Sequence, residues 1–274
     1  MDSSAKTSRT QIRVAAHPAV VTGASANHFT ELLSAVASSQ KVHPKKSRLI
    51  VYDLGLRRSQ RSTLEALCKV ELRMFNFTAF PAIVRQLSSY RWKPLLIAEL
   101  MSEFPNGFWW IDSSIRWIST KPLRPLYSAI EQRRKSAFVL VDYSGGIFST
   151  TNPRMYKFLP TDLSGLKRTP GHGGGFVFVV KSEQSVQIVK WLVLCALEPD
   201  CMAPPFSKQH CRKTTNNNDS YLKCHRYDQS AVNILLANQF NFSYSFYTPS
   251  DCSFAVVDRL NEKLGNIRPV ACAG

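Results

Sequence analysis

A chain of 274 residues with 44% hydrophobic and 11% aromatic content is long and apolar enough for a sizeable core, which excludes a disordered chain. Its 35 Lys and Arg against 19 Asp and Glu leave a net charge of +16, so a charged partner should be anionic. The basic residues are scattered in pairs such as Lys45-Lys46, Arg57-Arg58 and Lys167-Arg168, the pattern of a solvated surface rather than a polyanion track. No apolar run reaches the roughly 18 residues of a membrane-spanning helix.

In chain order, residues 1–17 read as a flexible, polar lead-in without the apolar stretch of a signal peptide. A short strand over 19–22 closes at Gly23-Ala24-Ser25-Ala26-Asn27, and Phe29, Leu32, Leu33 and Val36 then recur at helical spacing. A second strand over 48–53 stops at Leu54-Gly55. Leu64, Leu67 and Cys68 mark a helix capped by Ser59 or Ser62, with Cys68 as a plain buried thiol. Residues 70–77 alternate as a third strand, and 81–90 read as a short helix.

Tyr90-Arg91-Trp92-Lys93-Pro94 opens the next helix, with Pro94 in the first turn, where its missing N–H is no loss. Beyond Pro105-Asn106-Gly107 the run Phe108-Trp109-Trp110-Ile111 meets Asp112-Ser113-Ser114. That predicts a strand buried on both faces, with Asp112 at its carboxyl end, where open α/β sheets place ligands. A helix near 124–132 and a strand over 137–141 precede Asp142-Tyr143-Ser144-Gly145-Gly146. Gly171-His172-Gly173-Gly174-Gly175 leads into a strand over 176–180 and an amphipathic helix over 183–197. Residues 198–224 form a long Cys- and Asn-rich loop; Tyr227-Asp228-Gln229-Ser230 then opens a helix ending near Asn238, with late edge strands over 242–247 and 254–257. The alternation predicts an α/β fold: a single mostly parallel sheet with helices on both faces, one domain over 18–260 and a tail over 261–274.

Six of the seven cysteines fall in the last third, Cys195, Cys201, Cys211, Cys224 and Cys252 among them, with no CxxC pair, which favours disulfides over a zinc module. An odd count leaves at least one thiol over. Sequons at Asn76, Asn218 and Asn241 agree with an oxidising compartment. Two localisations stand open: the Golgi or ER lumen behind an upstream anchor, or the cytoplasm with reduced thiols.

An ionised Asp112 against a core costs several kcal/mol unless a cation compensates it, so Arg116, a metal ion or both are expected beside it. Asp228 either caps its helix or serves as a base on an acceptor hydroxyl. Asp53 either forms a turn or accepts bonds from a donor ribose. The glycine run either turns the chain or lets a sugar or phosphate approach the backbone. Trp117 and Tyr143 are core residues or platforms for a sugar.

The ordered set Val20-Val21-Thr22, Ile50-Val51-Tyr52-Asp53-Leu54-Gly55, Tyr90-Arg91-Trp92-Lys93-Pro94, Trp110-Ile111-Asp112-Ser113-Ser114 and Cys224-His225-Arg226-Tyr227-Asp228-Gln229-Ser230 resembles a domain-of-unknown-function family expanded in nematodes. More distantly, it is similar to nucleotide-sugar glycosyltransferases of the A-type, Rossmann-like fold. The resemblance implies transfer of a sugar from a nucleotide-diphosphate donor to a glycan or protein acceptor. Asp112 matches the first acid of an Asp-x-Asp that holds Mn²⁺ or Mg²⁺ against the diphosphate, while Ser114 replaces the second acid. His225 is the candidate second metal ligand. Without a metal, Lys93, Arg91 and Arg116 would neutralise the diphosphate. Asp53, Gly173 and Gly174 complete the donor contacts, and Asp228 matches the acid of an Asp-Gln helix. Two readings compete: a catalytically inactive binding or scaffold protein of the same fold, which Ser114 favours, and an S-adenosylmethionine-dependent methyltransferase, which Asp53 fits and the lone Gly23 does not. No RRM, KH or helix-turn-helix pattern is present, so no nucleic-acid partner is expected.

Overall fold

Runs of β-branched and aromatic residues alternate with amphipathic segments from residue 19 onward, and most runs become strands and most segments helices. The computed structural model describes residues 11–141, 143–211, 219–259 and 268–271. The first half of the chain lays down β1 (Ala19–Ala24), α1 (Phe29–Val42), β2 (Leu49–Asp53), α2 (Arg58–Glu65), β3 (Val70–Met74), α3 (Trp92–Glu103), β4 (Phe108–Ile111), β5 (Ile115–Trp117) and α4 (Leu123–Glu131). The second half adds β6 (Phe138–Leu140), β7 (Tyr143–Gly146), α5 (Leu163–Arg168), β8 (Pro170–His172), β9 (Phe176–Val179), α6 (Glu183–Leu197), α7 (Pro199–Met202), α8 (Asp228–Gln239) and β10 (Ala255–Val257).

Six strands form one sheet in the order β3-β2-β1-β4-β9-β6, with β1 to β4 mutually parallel. Because successive strand residues face opposite sides, β4 sends Phe108 and Trp110 into one core and Trp109 and Ile111 into the other, all four fully buried. The helices α3, α6 and α8 cover the first face; α1 and α4 cover the second. Each buried tryptophan removes about 150–250 Å² from water, worth roughly 4–6 kcal/mol of transfer free energy. That is enough to hold a charged residue at the end of the same strand. The mostly parallel sheet with helices on both faces is the architecture expected from the sequence. One strand departs from the parallel order: β9 runs antiparallel to both β4 and β6. After β6 the chain stays at the carboxyl edge, forming the antiparallel ribbon β7–β8, and re-enters the sheet through Gly173–Gly175. An antiparallel neighbour needs no crossover helix.

The apolar run from Phe108 to Trp117 divides. It ends as a sheet strand at Ile111, turns over Asp112–Ser114 with the Ile115 N–H on the Asp112 carbonyl at 3.0 Å, and resumes as β5, which pairs with β10. Residues 242–247 are not a strand: Asn241 and Phe242 have φ of +46° and +63°, which no strand continues, and Tyr244–Phe246 is a 3₁₀ turn. Their alternating aromatics pack instead on Gly165, Phe240 and the core. The short helix expected over 81–90 is two 3₁₀ turns, ended by Tyr90 at φ +55°. The second helix begins at Arg58, and the Gln60 side chain rather than a serine accepts the Arg57 N–H at 2.8 Å.

Disulfides join Cys195 to Cys201 and Cys211 to Cys224. Cys68 is disulfide-bonded as well, not a plain buried thiol. The helix α2 stops at Glu65, so Cys68 sits in the turn before β3 beside the returning segment 268–271, its N–H on the Val270 carbonyl at 3.0 Å. Disulfides fit an oxidising compartment. Among the described residues no helix is long and apolar enough to cross a membrane. Asn76 and Asn241 are exposed, whereas Asn218 and the Tyr143 side chain lie outside the described residues.

Candidate functional site

The strand order reverses between β1 and β4, and Asp112 stands just past the carboxyl end of β4 at this switch point. There an open cleft of about 120 Å³ is lined by Asp112, Ser114, Gly173–Gly175, Asp228 and Gln229, with Tyr90, Lys93, Arg226, Tyr227 and Arg259 around them.

At its base Lys93 lies between two acids. Its Nζ is 3.0 Å from Asp112 Oδ1 and 3.1 Å from Asp228 Oδ2, and it donates to the Gly174 carbonyl at 3.3 Å. The rings of Tyr90, Trp92 and Trp110 surround the ammonium at 5.3, 5.7 and 5.8 Å, within cation–π range. Lys93 is the second residue of α3, the helix end where the macrodipole disfavours a cation, so the acids and rings hold its charge in place. Burial alone would lower its pKa, but Asp112 and Asp228 outweigh burial and raise it. Burial raises the pKa of Asp228; Lys93 pulls it down and Asp112 adds to the rise. The Asp228 side chain is 11% exposed and that of Asp112 35%, so Asp112 is the acid that still faces the cleft. The Trp110 indole also donates to Asp112 Oδ1 at 3.0 Å.

Two backbone features make room for this cluster. A Cβ on Gly175 would lie 2.5 Å from Asp112 Oδ2, and one on Gly174 would lie 3.0 Å from Asp228 Oδ2. The glycine run therefore lets β9 approach both acids closely, a role the sequence did not suggest. Tyr227, just before Asp228, has φ +46° and ψ −116°, a region that favours glycine and costs on the order of 1–3 kcal/mol for another residue. This bend starts α8 with Asp228 on Lys93 and leaves the Tyr227 ring 6.0 Å from that of Tyr90. The Cys211–Cys224 bridge ties the stretch carrying Gln209, which donates to the Tyr90 hydroxyl at 2.7 Å, to the start of this segment.

Of the residues singled out from sequence, Asp112, Ser114, Lys93, Gly173, Gly174 and Asp228 come together in the cleft. Four others do not line it. Arg91 donates to the Ala196 and Glu198 carbonyls at 2.8 Å and to the Pro199 carbonyl at 2.5 Å, capping the carboxyl end of α6. Arg116 is buried and donates to the Ser113 and Ile115 carbonyls at 2.5 and 3.0 Å, stapling the turn after β4. Asp53 is buried, accepts the Gly55 and Leu56 N–H groups at 2.7 and 2.6 Å and pairs with Arg61, so it forms a turn. His225 is fully buried; Nδ1 accepts the Asn152 N–H at 3.1 Å and Nε2 lies 3.1 Å from the Met202 carbonyl. Burial lowers its pKa to about 4. Trp117 is a core residue. Reasoning from sequence missed Arg226, Arg259 and Gln209 in the cleft wall; Arg226 stands inside a quoted motif, while the other two carry no local signal.

The divalent ion implied by the resemblance meets a donor set that does not fit it. Ser114 replaces an acid, both nitrogens of His225 are engaged elsewhere, and Lys93 already bridges the two carboxylates. Among the described residues no group of three His, Cys, Asp or Glu is placed to hold a metal. A divalent ion within about 4 Å of the ammonium would meet a repulsion of roughly 8 kcal/mol at an effective dielectric constant of about 20.

Comparison with known proteins places residues 2–98 in a match to a family described as "Protein of unknown function (DUF1647)". No curated protein matches the chain by sequence. Among solved structures, the chain is similar to a galactosyltransferase, LgtC, in complex with donor and acceptor sugar analogs, at 16% identity over 79% of this chain and 69% of that one, with a TM-score of 0.42. It is similar to mouse xyloside xylosyltransferase 1 in its apo form, at 10% identity over 82% of this chain and 83% of that one, with a TM-score of 0.46. It is likewise similar to core-mannan synthase A of Aspergillus fumigatus in a Mn/GDP form, at 10% identity over 85% of this chain and 71% of that one, with a TM-score of 0.45.

Proposed function

We propose that the chain is a glycosyltransferase-like protein that seats a nucleotide-diphosphate sugar in the cleft and passes the sugar to a hydroxyl of a glycan or protein acceptor. The observation that carries this reading is the Lys93–Asp112–Asp228 cluster, set in a cleft at the switch point of a mostly parallel sheet. In the proposed step the acceptor oxygen attacks the anomeric carbon, the bond from that carbon to the diphosphate oxygen breaks, and the hydroxyl proton goes to Asp228. Burial raises its pKa, the direction that makes a carboxylate a better proton acceptor. The diphosphate leaves toward Arg226 and Arg259, whose guanidinium groups have no acidic partner among the described residues. Disulfides and exposed sequons at Asn76 and Asn241 support action in the Golgi or ER lumen.

A second reading, a binding or scaffold protein of the same fold, is favoured by one observation: Asp228 is already paired with Lys93. Thermal shift with a panel of nucleotide sugars, followed by turnover of any ligand found, separates the two. The enzyme reading expects a saturable stabilisation and transfer or donor hydrolysis that falls about 100-fold or more in Asp228→Asn, the usual share of a general base. A bound donor that the wild type never turns over assigns the protein to the scaffold reading. If no nucleotide sugar stabilises the chain, neither stands.

A further inference from the structure

We propose that the Lys93 ammonium takes the place of a divalent cation in this cleft, so that an anionic ligand is bound with protein cations alone. The inference rests on the preceding reading for the identity of the ligand, but not for the cation itself.

Three observations support it. The ammonium stands where the two acids converge, 3.0 and 3.1 Å from an oxygen of each, and is 4% exposed. It is fixed there by the Gly174 carbonyl and three aromatic rings, so it is not a surface lysine that a metal ion could displace by simple competition. Among the described residues the charged groups lining the cleft are Lys93, Arg226 and Arg259 against Asp112 and Asp228, three cations to two acids. That described lining is net positive without a metal, which suits an incoming diphosphate. Replacing the second acid of Asp-x-Asp by Ser114 belongs to the same arrangement, because a third carboxylate would turn that balance neutral.

The test titrates Mn²⁺ alone into the full chain and follows the free ion by its EPR signal. Wild type is expected to leave Mn²⁺ free at roughly tenfold excess over protein, and Lys93→Met to take up about one ion per chain as the two acids lose their cation. In parallel, UDP and GDP are titrated by calorimetry with EDTA present and with Mn²⁺ present, and the affinities of the wild type should agree within about twofold. The proposal is overturned if wild type binds Mn²⁺ and Asp112→Asn abolishes that binding. It is equally overturned if nucleotide binding needs Mn²⁺, or if a folded Lys93→Met leaves the ion free. Should Lys93→Met fail to fold, the wild-type titrations decide alone. If neither nucleotide binds under any condition, the proposed function fails while the Mn²⁺ titration still reports on Lys93.

Discussion

Lys93→Met tests the charge cluster through stability. In the variant, Asp228 keeps an 11% exposed carboxylate with no cation beside it, and Asp112 loses a partner but remains 35% exposed. Breaking a buried ion pair from one side costs about 3–5 kcal/mol, and most of that falls on Asp228, since solvent screens Asp112. The loss is a large part of the roughly 5–15 kcal/mol that stabilises a typical domain. It should also depend on pH in a fixed sense. Lys93 is the main group pulling the pKa of Asp228 down, so its removal sends an already raised pKa higher. A carboxyl with a raised folded pKa destabilises fully above that pKa, and the deficit shrinks as pH falls through it toward the unfolded value of about 3.9. Urea unfolding followed by tryptophan fluorescence should therefore show a loss of about 3–5 kcal/mol near neutral pH with an unchanged slope, and a smaller one near pH 5. Adding Asp228→Asn to the same chain should recover most of the loss, because the unpaired charge is gone. A cost below about 1 kcal/mol, or no recovery in the double variant, would refute the pairing.

Arg91→Ala should cost about 2–4 kcal/mol in the same assay, since three carbonyls at the end of α6 lose a charged donor; nucleotide affinity should not change. Weaker binding at unchanged stability would instead make Arg91 a ligand contact. Gly175→Ala puts a methyl carbon 2.5 Å from Asp112 Oδ2 and must push that side chain off Lys93 and Trp110. Calorimetry should show weaker nucleotide binding and unfolding a loss of about 2–4 kcal/mol; a variant matching wild type in both would show that Asp112 has room to spare. His225 is neutral and buried, with a folded pKa of about 4 against 6.5 unfolded. A His whose pKa is lowered on folding contributes stability above the unfolded value, and that stability is lost as pH falls toward the folded one. The shift corresponds to about 3 kcal/mol, lost between about pH 6.5 and 4. The comparison is the pH slope of unfolding in wild type and His225→Gln; equal slopes would remove His225 as the cause.

Much of the scaffold was legible because local pattern and burial agree. The helix read over 183–197 is α6 to the residue, and the run Phe108–Ile111 is buried on both faces as its composition implied. Where pattern and contact part, sequence reasoning failed for identifiable reasons. The aromatics of 242–247 alternate like a strand, but they are anchors for separate core contacts on a backbone with positive φ. Cys68 looked like one more apolar helix position, yet the helix ends three residues earlier and the thiol lies beside the distant segment 268–271.

The sequence by itself determined that an acid stands at the rim of a buried strand, that a cation had to accompany it, and that helices and strands alternate into a mostly parallel sheet. These follow from residue types within a few positions of one another, where periodicity and desolvation act. Which cation accompanies the acid was decided by the tertiary structure. Arg116 is five residues past the end of β4 yet spends its guanidinium on the Ser113 and Ile115 carbonyls, whereas Lys93 and Asp228, from α3 and α8, meet Asp112 across the sheet edge. Charge pairing acts through space, with no periodic trace in the chain, and the packing of α3, β9 and α8 was needed to bring those three side chains to one point.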